Sequence, residues 1–402
     1  MLSVEEALRT VLTHRLRLPD ETVPLHQAVG RVLAEPLLAD RDFPPFDRVT
    51  MDGIALGWPA PVAGDEVLIE ATQYAGVPPL TLGHRTHAIE VMTGAVLPEG
   101  TLMVVRNEDF DVVQRDGQRY AALKISPVPK QNIHHRGEDR RAGDLLVPVG
   151  TRLSPAEIAV AASVGKAHLL VQGLPRVAVI STGDELVAVS ETPLPHQIRR
   201  SNGAMLVAAL AQRGILAEEF HLTDDRETLT GRLRELLIHF DLLLLSGGVS
   251  AGKKDFVPGV LAELGVVKQF HQVAQRPGKP FWFGTHPDGP VVFALPGNPV
   301  STFLCFLKYV VPVVPTDFSP SNGTLPTRAI LTESVTFKPN LTYFVPVSTQ
   351  IDVETGRRLA RSLKGSGSGD FANLLDCDGF LELPAGRDEY GAGEEFGYLG
   401  FR

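Results

Sequence analysis

Between Val177 and Ser301 the chain alternates short apolar runs with helix-like segments, and three of the apolar runs stop at glycine-rich loops. The loops read Ile-Ser-Thr-Gly-Asp-Glu-Leu (180–186), Ser-Gly-Gly-Val-Ser-Ala-Gly-Lys-Lys-Asp-Phe (246–256) and Leu-Pro-Gly-Asn-Pro-Val-Ser (295–301). Such alternation predicts a mainly parallel sheet wrapped by helices on both faces. In an open sheet of that kind ligands bind where the carboxyl ends of the strands converge. Glycines let backbone approach a ligand closely, and exposed N–H groups at a helix start attract anions. The carboxylates of Asp184, Glu185 and Asp255 would repel a bare phosphate. The loops together therefore imply a phosphorylated ligand with a divalent cation between phosphate and carboxylate.

The rest of the chain reads as further domains around that one, since 402 residues exceed what one core organises. Residues 3–16 predict an amphipathic helix through Val4, Ala7, Leu8, Val11 and Leu12, with Ser3 and Glu6 spaced for a capping box. From 54 to 129 short strand-like runs between Gly and Pro turns predict an inserted β-rich module. Residues 1–53 and 130–175 flank it as an extended connecting domain, whose helix starts at Ser154-Pro155. Residues 176–318 form the α/β domain, in which Val300–Val311 reads as the last helix. After a turn-rich break at 319–323, residues 325–402 read as a small all-β domain.

Composition removes several classes of function. With 44% hydrophobic and 21% charged residues the chain is an ordinary globular protein. A net charge of -9 carries no sign of a nucleic-acid partner. No apolar stretch reaches the roughly 18 residues of a membrane span. The N-terminus lacks the basic start and apolar stretch of a signal peptide, so a cytoplasmic location is expected. Cys305 and Cys377 show no metal-ligand spacing, and Cys305 lies in an apolar run. The twelve histidines show no such spacing either, so His134 and His271 carry no expected role.

Eight strings resemble, in order, the molybdopterin molybdenumtransferase family (MoeA, and the E domain of gephyrin). They are Pro-Pro-Phe-Asp-Arg-x-x-Met-Asp-Gly (44–53), Met-Thr-Gly-Ala-x-x-Pro-Glu-Gly (92–100), Arg-Gly-Glu-Asp (136–139), Ser-Thr-Gly-Asp-Glu-Leu (181–186), Ser-Asn-x-x-Met-Leu (201–206), Ser-Gly-Gly-Val-Ser (246–250), Arg-Pro-Gly-Lys-Pro (276–280) and Leu-Pro-Gly-Asn-Pro-Val-Ser (295–301). The resemblance implies an α/β multidomain protein: a three-layer MogA-like domain, an inserted β-rich lid module, an extended connecting domain and a C-terminal β-barrel. It implies an elongated homodimer and contact with other proteins of molybdenum cofactor biosynthesis. The implied reaction inserts molybdate into adenylylated molybdopterin, giving molybdenum cofactor and AMP, with a divalent cation such as Mg²⁺.

The resemblance also implies a site. Asp52, Thr93 and Asp139 would face the α/β domain of a partner subunit. Asp52, Asp139, Glu185, Asp224 and Asp255 are the expected catalytic carboxylates, of which Glu185, Asp224 and Asp255 would hold the cation. Thr182, Ser246, Gly247, Gly248 and Ser250 would bind phosphate. Arg276 and Lys279 are the cations for phosphate and oxyanion, Arg suiting bidentate contact. Pro296, Gly297, Asn298, Pro299 and Ser301 would shape the pterin or phosphate pocket, and Ser368 would join it from the C-terminal domain. Several of these residues also have a purely structural reading. Asp52 could stabilise a turn with Gly53, Asp224 with Asp225 could cap a helix, Asp184 and Glu185 could cap the next segment, and Asn298 and Ser301 could cap the last helix.

The chain departs from the family pattern at three places. Ile54 stands where Tyr usually follows Met-Asp-Gly, Gln272 stands where a Lys is common, and Tyr343–Val347 stands where many members carry an Arg, with Arg357, Arg358 and Arg361 as possible substitutes. A diverged scaffold that binds pterin or nucleotide without turnover, or an enzyme for another oxyanion such as tungstate, is the alternative reading. A molybdopterin adenylyltransferase shares the α/β domain but needs neither the β module nor the C-terminal domain.

Overall fold

The chain opens with helix α1 (Val4–Leu12), capped as its sequence predicts: the Ser3 hydroxyl accepts from the Glu6 amide while the Glu6 carboxylate accepts from the Ser3 amide. Its buried stripe, Val4, Ala7 and Val11, joins the largest apolar core. The computed structural model describes residues 1–248, 256–314, 328–363, 367, 369–370 and 374–402. Two compact units divide them: Met1–Ala34, Val149–Pro155 and His168–Arg402 in one, Glu35–Pro148 and Ala156–Ala167 in the other. No helix among the described residues is long and apolar enough to cross a membrane.

The second unit is built on six strands: β1 (Gly53–Leu56), β2 (Glu66–Gln73), β3 (Ala88–Val91), β4 (Met103–Arg106), β5 (Phe110–Arg115) and β6 (Gln118–Leu123). They lie in the order β4-β1-β3-β2-β6-β5, antiparallel except for β2 beside β3. Period-two alternation sends Ile54 and Leu56 into one apolar cluster and Ala55 into another, so both faces of β1 are covered. Helix α2 (Pro155–Ser163) follows the module in the chain.

The α/β domain contains β7 (Val177–Thr182), α3 (Ser201–Ala211), β8 (Ala217–Leu222), α4 (Arg226–His239), β9 (Leu242–Ser246), α5 (Val257–Glu263), β10 (Val267–His271), β11 (Trp282–Thr285), β12 (Val291–Leu295) and α6 (Pro299–Cys305). The sheet order is β8-β7-β9-β12-β11-β10. Strands β8, β7, β9 and β12 are parallel, β11 runs against them, and the edge strand β10, antiparallel to β11, points the same way as the four. Alternate residues of the fully buried strands face opposite layers. Val177, Val179, Leu242 and Leu244 pack with α1, α3 and α6, whereas Ala178, Ile180, Leu243 and Leu245 pack with α4 and α5. That is the three-layer arrangement.

The last helix is shorter than its apolar run predicts. After Cys305 the backbone continues as a π turn, Phe306–Val310, and a 3-10 turn, Val311–Val313. Pro312 explains the break: it has no N–H for the carbonyl four residues back, and its ring crowds that carbonyl.

The C-terminal strands are β13 (Arg328–Leu331), β14 (Thr342–Ile351), β15 (Arg358–Ser362), β16 (Gly379–Leu383) and β17 (Glu395–Gly400). Their pairings run β14-β15-β13-β17-β16 and return to β14, which closes a small barrel. A two-residue strand, Gln275–Arg276, adds to β14 with Arg276 opposite Tyr343.

Candidate functional site

The parallel register aligns three strand ends. Ser181 stands beside Ser246, and Ser246 beside Leu295, so the loops after β7, β9 and β12 leave the sheet together. Two clefts open there and share Gly247, Gly297 and Asn298. The first, about 640 Å³, is lined by Arg276, Lys279, Gly248, Pro296 and Ser301 and, from the barrel, by Tyr343, the register partner of Arg276. The second, about 580 Å³, is lined by Thr182, Glu185, Asn202, Ser246 and Pro299.

The second cleft is polar at its base. Ser181 and Thr182 are 2% and 5% exposed, and neither side-chain oxygen has a partner among the described residues. Buried polar atoms are normally paired, so these two oxygens point to a ligand or water. Gly247 and Gly248 follow Ser246 with φ of +99° and +68°. The Gly247 amide donates to the Leu295 carbonyl at 3.3 Å, which ties the turn to the end of β12. Pro299 occupies the first turn of α6, where its missing N–H costs nothing. Asn298 sits at the N-cap position, yet its side chain makes no capping bond. Ser301 is 3% exposed, inside the first turn.

The carboxylates are distributed unevenly. Glu185 lines the second cleft, whereas Asp224 lines neither. The Asp224 amide donates to Asp184 Oδ1 at 3.0 Å, which ties the loop after β8 to the loop after β7. Asp225, rather than Asp224, caps α4 through the Thr228 amide, and these bonds hold its carboxyl below the ordinary range. No group of three or more His, Cys, Asp or Glu side chains placed for a metal occurs among the described residues. Asp255, Ser250 and Ser368 lie outside the described residues.

In the other unit Asp52 precedes β1 and Thr93 follows β3, and the register Gly53 to Val91 makes them neighbours. The Thr93 amide and hydroxyl donate to Asp52 Oδ1 at 2.6 and 2.7 Å. The hydroxyl, then the amide, hold the Asp52 carboxyl below its usual range. Asp139 makes a different contact. Its Oδ1 lies 3.0 Å from His134 Nε2, and Arg48 Nη2 lies 3.0 Å from His134 Nδ1. A guanidinium can only donate, so Nδ1 accepts, and Nε2 carries the proton given to Asp139. His134, which the sequence leaves without a role, orients Asp139.

Sequence reasoning also missed Asn202. Its amide nitrogen reaches Ser246 Oγ at 2.9 Å and the Gly297 carbonyl at 2.7 Å, bridging the loops after β9 and β12. The signal was present in the Ser-Asn-x-x-Met-Leu string. At the departures, Tyr343 lines the first cleft, and burial pushes its hydroxyl pKa up. Arg358 donates to Thr349 Oγ1 at 3.1 Å and lies over the Tyr398 ring. Arg357, Arg358 and Arg361 line neither cleft. Gln272 is also absent from both; its amide donates to the Phe281 carbonyl.

Comparison with known proteins agrees with this architecture. Residues 2–165 match the family model for the MoeA N-terminal region (domain I and II). Residues 178–316 match that for a probable molybdopterin binding domain, and 328–401 that for the MoeA C-terminal region (domain IV). The molybdopterin molybdenumtransferase of a Synechocystis strain is 37% identical over 399 residues, covering 98% of this chain and 99% of the relative. That of Bacillus subtilis is 32% identical, covering 98% and 92%. The molybdopterin biosynthesis MoeA protein of Pyrococcus horikoshii superimposes with a TM-score of 0.82 at 31% identity, covering 100% of this chain and 99% of that one. Fold and loops thus define a multidomain α/β protein of molybdenum cofactor biosynthesis. The chain belongs to the molybdopterin molybdenumtransferase family.

Proposed function

We propose that this transferase inserts molybdate into adenylylated molybdopterin and releases AMP. The observation that carries the reading is the pair of clefts meeting at Gly247, Gly297 and Asn298. One cleft is cationic and suits an oxyanion; the other offers hydroxyls, turn amides and Glu185, and suits a pyrophosphate. A substrate spanning both would present its dithiolene to molybdate while its phosphoanhydride lies beside the loops.

In this reading Arg276 and Lys279 draw in molybdate and stabilise charge developing in its cleft. Thr182, Ser246, Gly247, Gly248 and Ser250 orient the phosphates. Pro296, Gly297, Asn298, Pro299 and Ser301 shape the join between the clefts, and Ser368 adds a hydroxyl from the C-terminal domain. Asp52, Thr93 and Asp139 would complete the site across a homodimer, with Thr93 orienting Asp52 and His134 orienting Asp139.

Glu185 and Asp224 are oxygen-only donors from adjoining loops, and they fit Mg²⁺, which commonly takes one or two carboxylates plus phosphate oxygens. Asp255 is the third candidate ligand. When bound, Mg²⁺ would polarise the pyrophosphate that is cleaved. The domain limits proposed are 1–53 with 130–175, 54–129, 176–318 and 325–402. A cytoplasmic location and contact with other cofactor-biosynthesis proteins belong to the same reading.

The test is AMP release from adenylylated molybdopterin by purified protein with Mg²⁺, with and without molybdate. Molybdate-dependent release is expected. Tight binding without release, for molybdate and for tungstate, would refute the transferase reading and leave a scaffold.

A further inference from the structure

Gln275 is a polar side chain with no exposure, directly beneath the first cleft. It precedes Arg276 in a loop whose neck is closed by the Val273 amide donating to the Lys279 carbonyl at 3.1 Å. The interior of that loop is filled by the Gln275 side chain. Its amide nitrogen donates to the Pro277 carbonyl at 3.1 Å and lies 3.4 Å from that of Gly278. Its carbonyl oxygen accepts from the hydroxyl of Tyr309, also fully buried. The loop rests flush on this floor: a Cβ on Gly278 would lie 2.7 Å from Cys305 Sγ and 2.8 Å from Gln275 Nε2.

The two ends of this network belong to two segments that both line the first cleft. Arg276 and Lys279 stand on the loop that Gln275 fills. Tyr309 and Cys305 stand on the helical segment that begins at Pro299 and lines the cleft through Val300 and Ser301. Tyr309 is held in turn by stacking on Phe281, with ring centroids 4.7 Å apart. Among the described residues, Gln275 thus bonds the cation loop to the helical segment at Tyr309, beside the longer contact of Cys305 Sγ with the Gly278 carbonyl at 3.9 Å.

We propose that Gln275, held by Tyr309, is a positioning residue that sets the spacing of the Arg276 and Lys279 charges for the oxyanion. The proposal rests on the transferase reading. Elementary energetics separate it from a purely structural role. Removing one partner of a buried hydrogen bond leaves the other unsatisfied, while replacing both with apolar groups of similar shape can be nearly neutral for stability. In Gln275→Met both the Tyr309 hydroxyl and the loop carbonyls lose their partner; in the double variant Q275M/Y309F the stranded hydroxyl is gone and only the loop carbonyls lack their clamp.

The experiment measures thermal midpoint, kcat and the KM for molybdate in wild type, Q275M, Y309F and Q275M/Y309F, with molybdate binding followed by calorimetry. Wild type must first show molybdate-dependent AMP release; if it does not, the functional reading fails and the calorimetric comparison alone decides the positioning role. The expected result is a molybdate KM and Kd raised about tenfold in both Q275M and the double variant, with kcat at saturation within about threefold. The thermal midpoint falls in Q275M and recovers in part in the double variant. Molybdate affinity that recovers together with stability, or stays at the wild-type value throughout, overturns the proposal.

Discussion

Gly247→Ala puts a methyl group where the protein has no room for it. The residue sits at φ +99°, a region where an L side chain costs about 1–2 kcal/mol. The new Cβ would lie 2.7 Å from the Thr182 carbonyl oxygen and 2.9 Å from its Oγ1. Thr182 ends a buried strand paired on both sides by its neighbours and cannot retreat freely, so overpacking adds about 1–3 kcal/mol. Loss of unfolded-chain freedom returns about 0.4–1 kcal/mol. The net destabilisation is about 1–5 kcal/mol, with a central value near 3. Gly214→Ala is the control: its φ is +76°, but nothing lies within 4 Å of its Cβ. It shares the conformational cost without the clash, so about 1 kcal/mol is expected. Thermal unfolding of the three proteins, followed by calorimetry, reads the difference. For a cooperative unit of this size each kcal/mol shifts the midpoint by roughly 2–4 °C. Equal midpoints for Gly247→Ala and Gly214→Ala would refute the steric argument, and with it the close packing of the loop after β9 on β7.

Two further outcomes follow from the same geometry. Thr93→Val removes the hydroxyl donor to Asp52 but keeps the amide, so the Asp52 titration followed by carbon-13 NMR moves upward toward the ordinary carboxylate value. In wild type the depressed carboxyl contributes stability that is present above the unfolded value near 3.9 and is lost as pH falls through the folded one; an unchanged midpoint in the variant would contradict this. Cys305 and Cys377 are both fully buried, and burial pushes both thiols up. A thiol-reactive chromophore should label neither quickly in native protein and both of the two after denaturation; fast native labelling of either would show that its pocket opens.

Much of the candidate site was legible because its residues sit in short strings with local meaning. The glycine turns after β7, β9 and β12 stop apolar runs, and a stop of that kind is visible without knowing the sheet. The capping box of α1 is legible for the same reason: both partners lie within three residues. Strand β5 was missed because, beyond Phe110, it buries little, so it lacks the alternation that marks a half-buried strand. The helix after Pro299 was read too long because its apolar run continues past Cys305, while the interruption comes from the one proline at 312. Gln275 carries no local signal for burial and lies in the core, since its polar atoms find partners only once the loop closes over it.

The sequence by itself determined the alternation of strands and helices, the glycine loops, the carboxylates and cations beside them, and hence the family and its chemistry. Only the tertiary structure decided that three loops share one strand edge, that Asn202 bridges two of them, that His134 orients Asp139, and that the barrel closes with Tyr343 facing Arg276. The physical reason is one of range. Propensity, capping and periodicity act over a few residues, but register, ring closure and the pairing of buried polar atoms depend on side chains far apart in the chain and are set by packing.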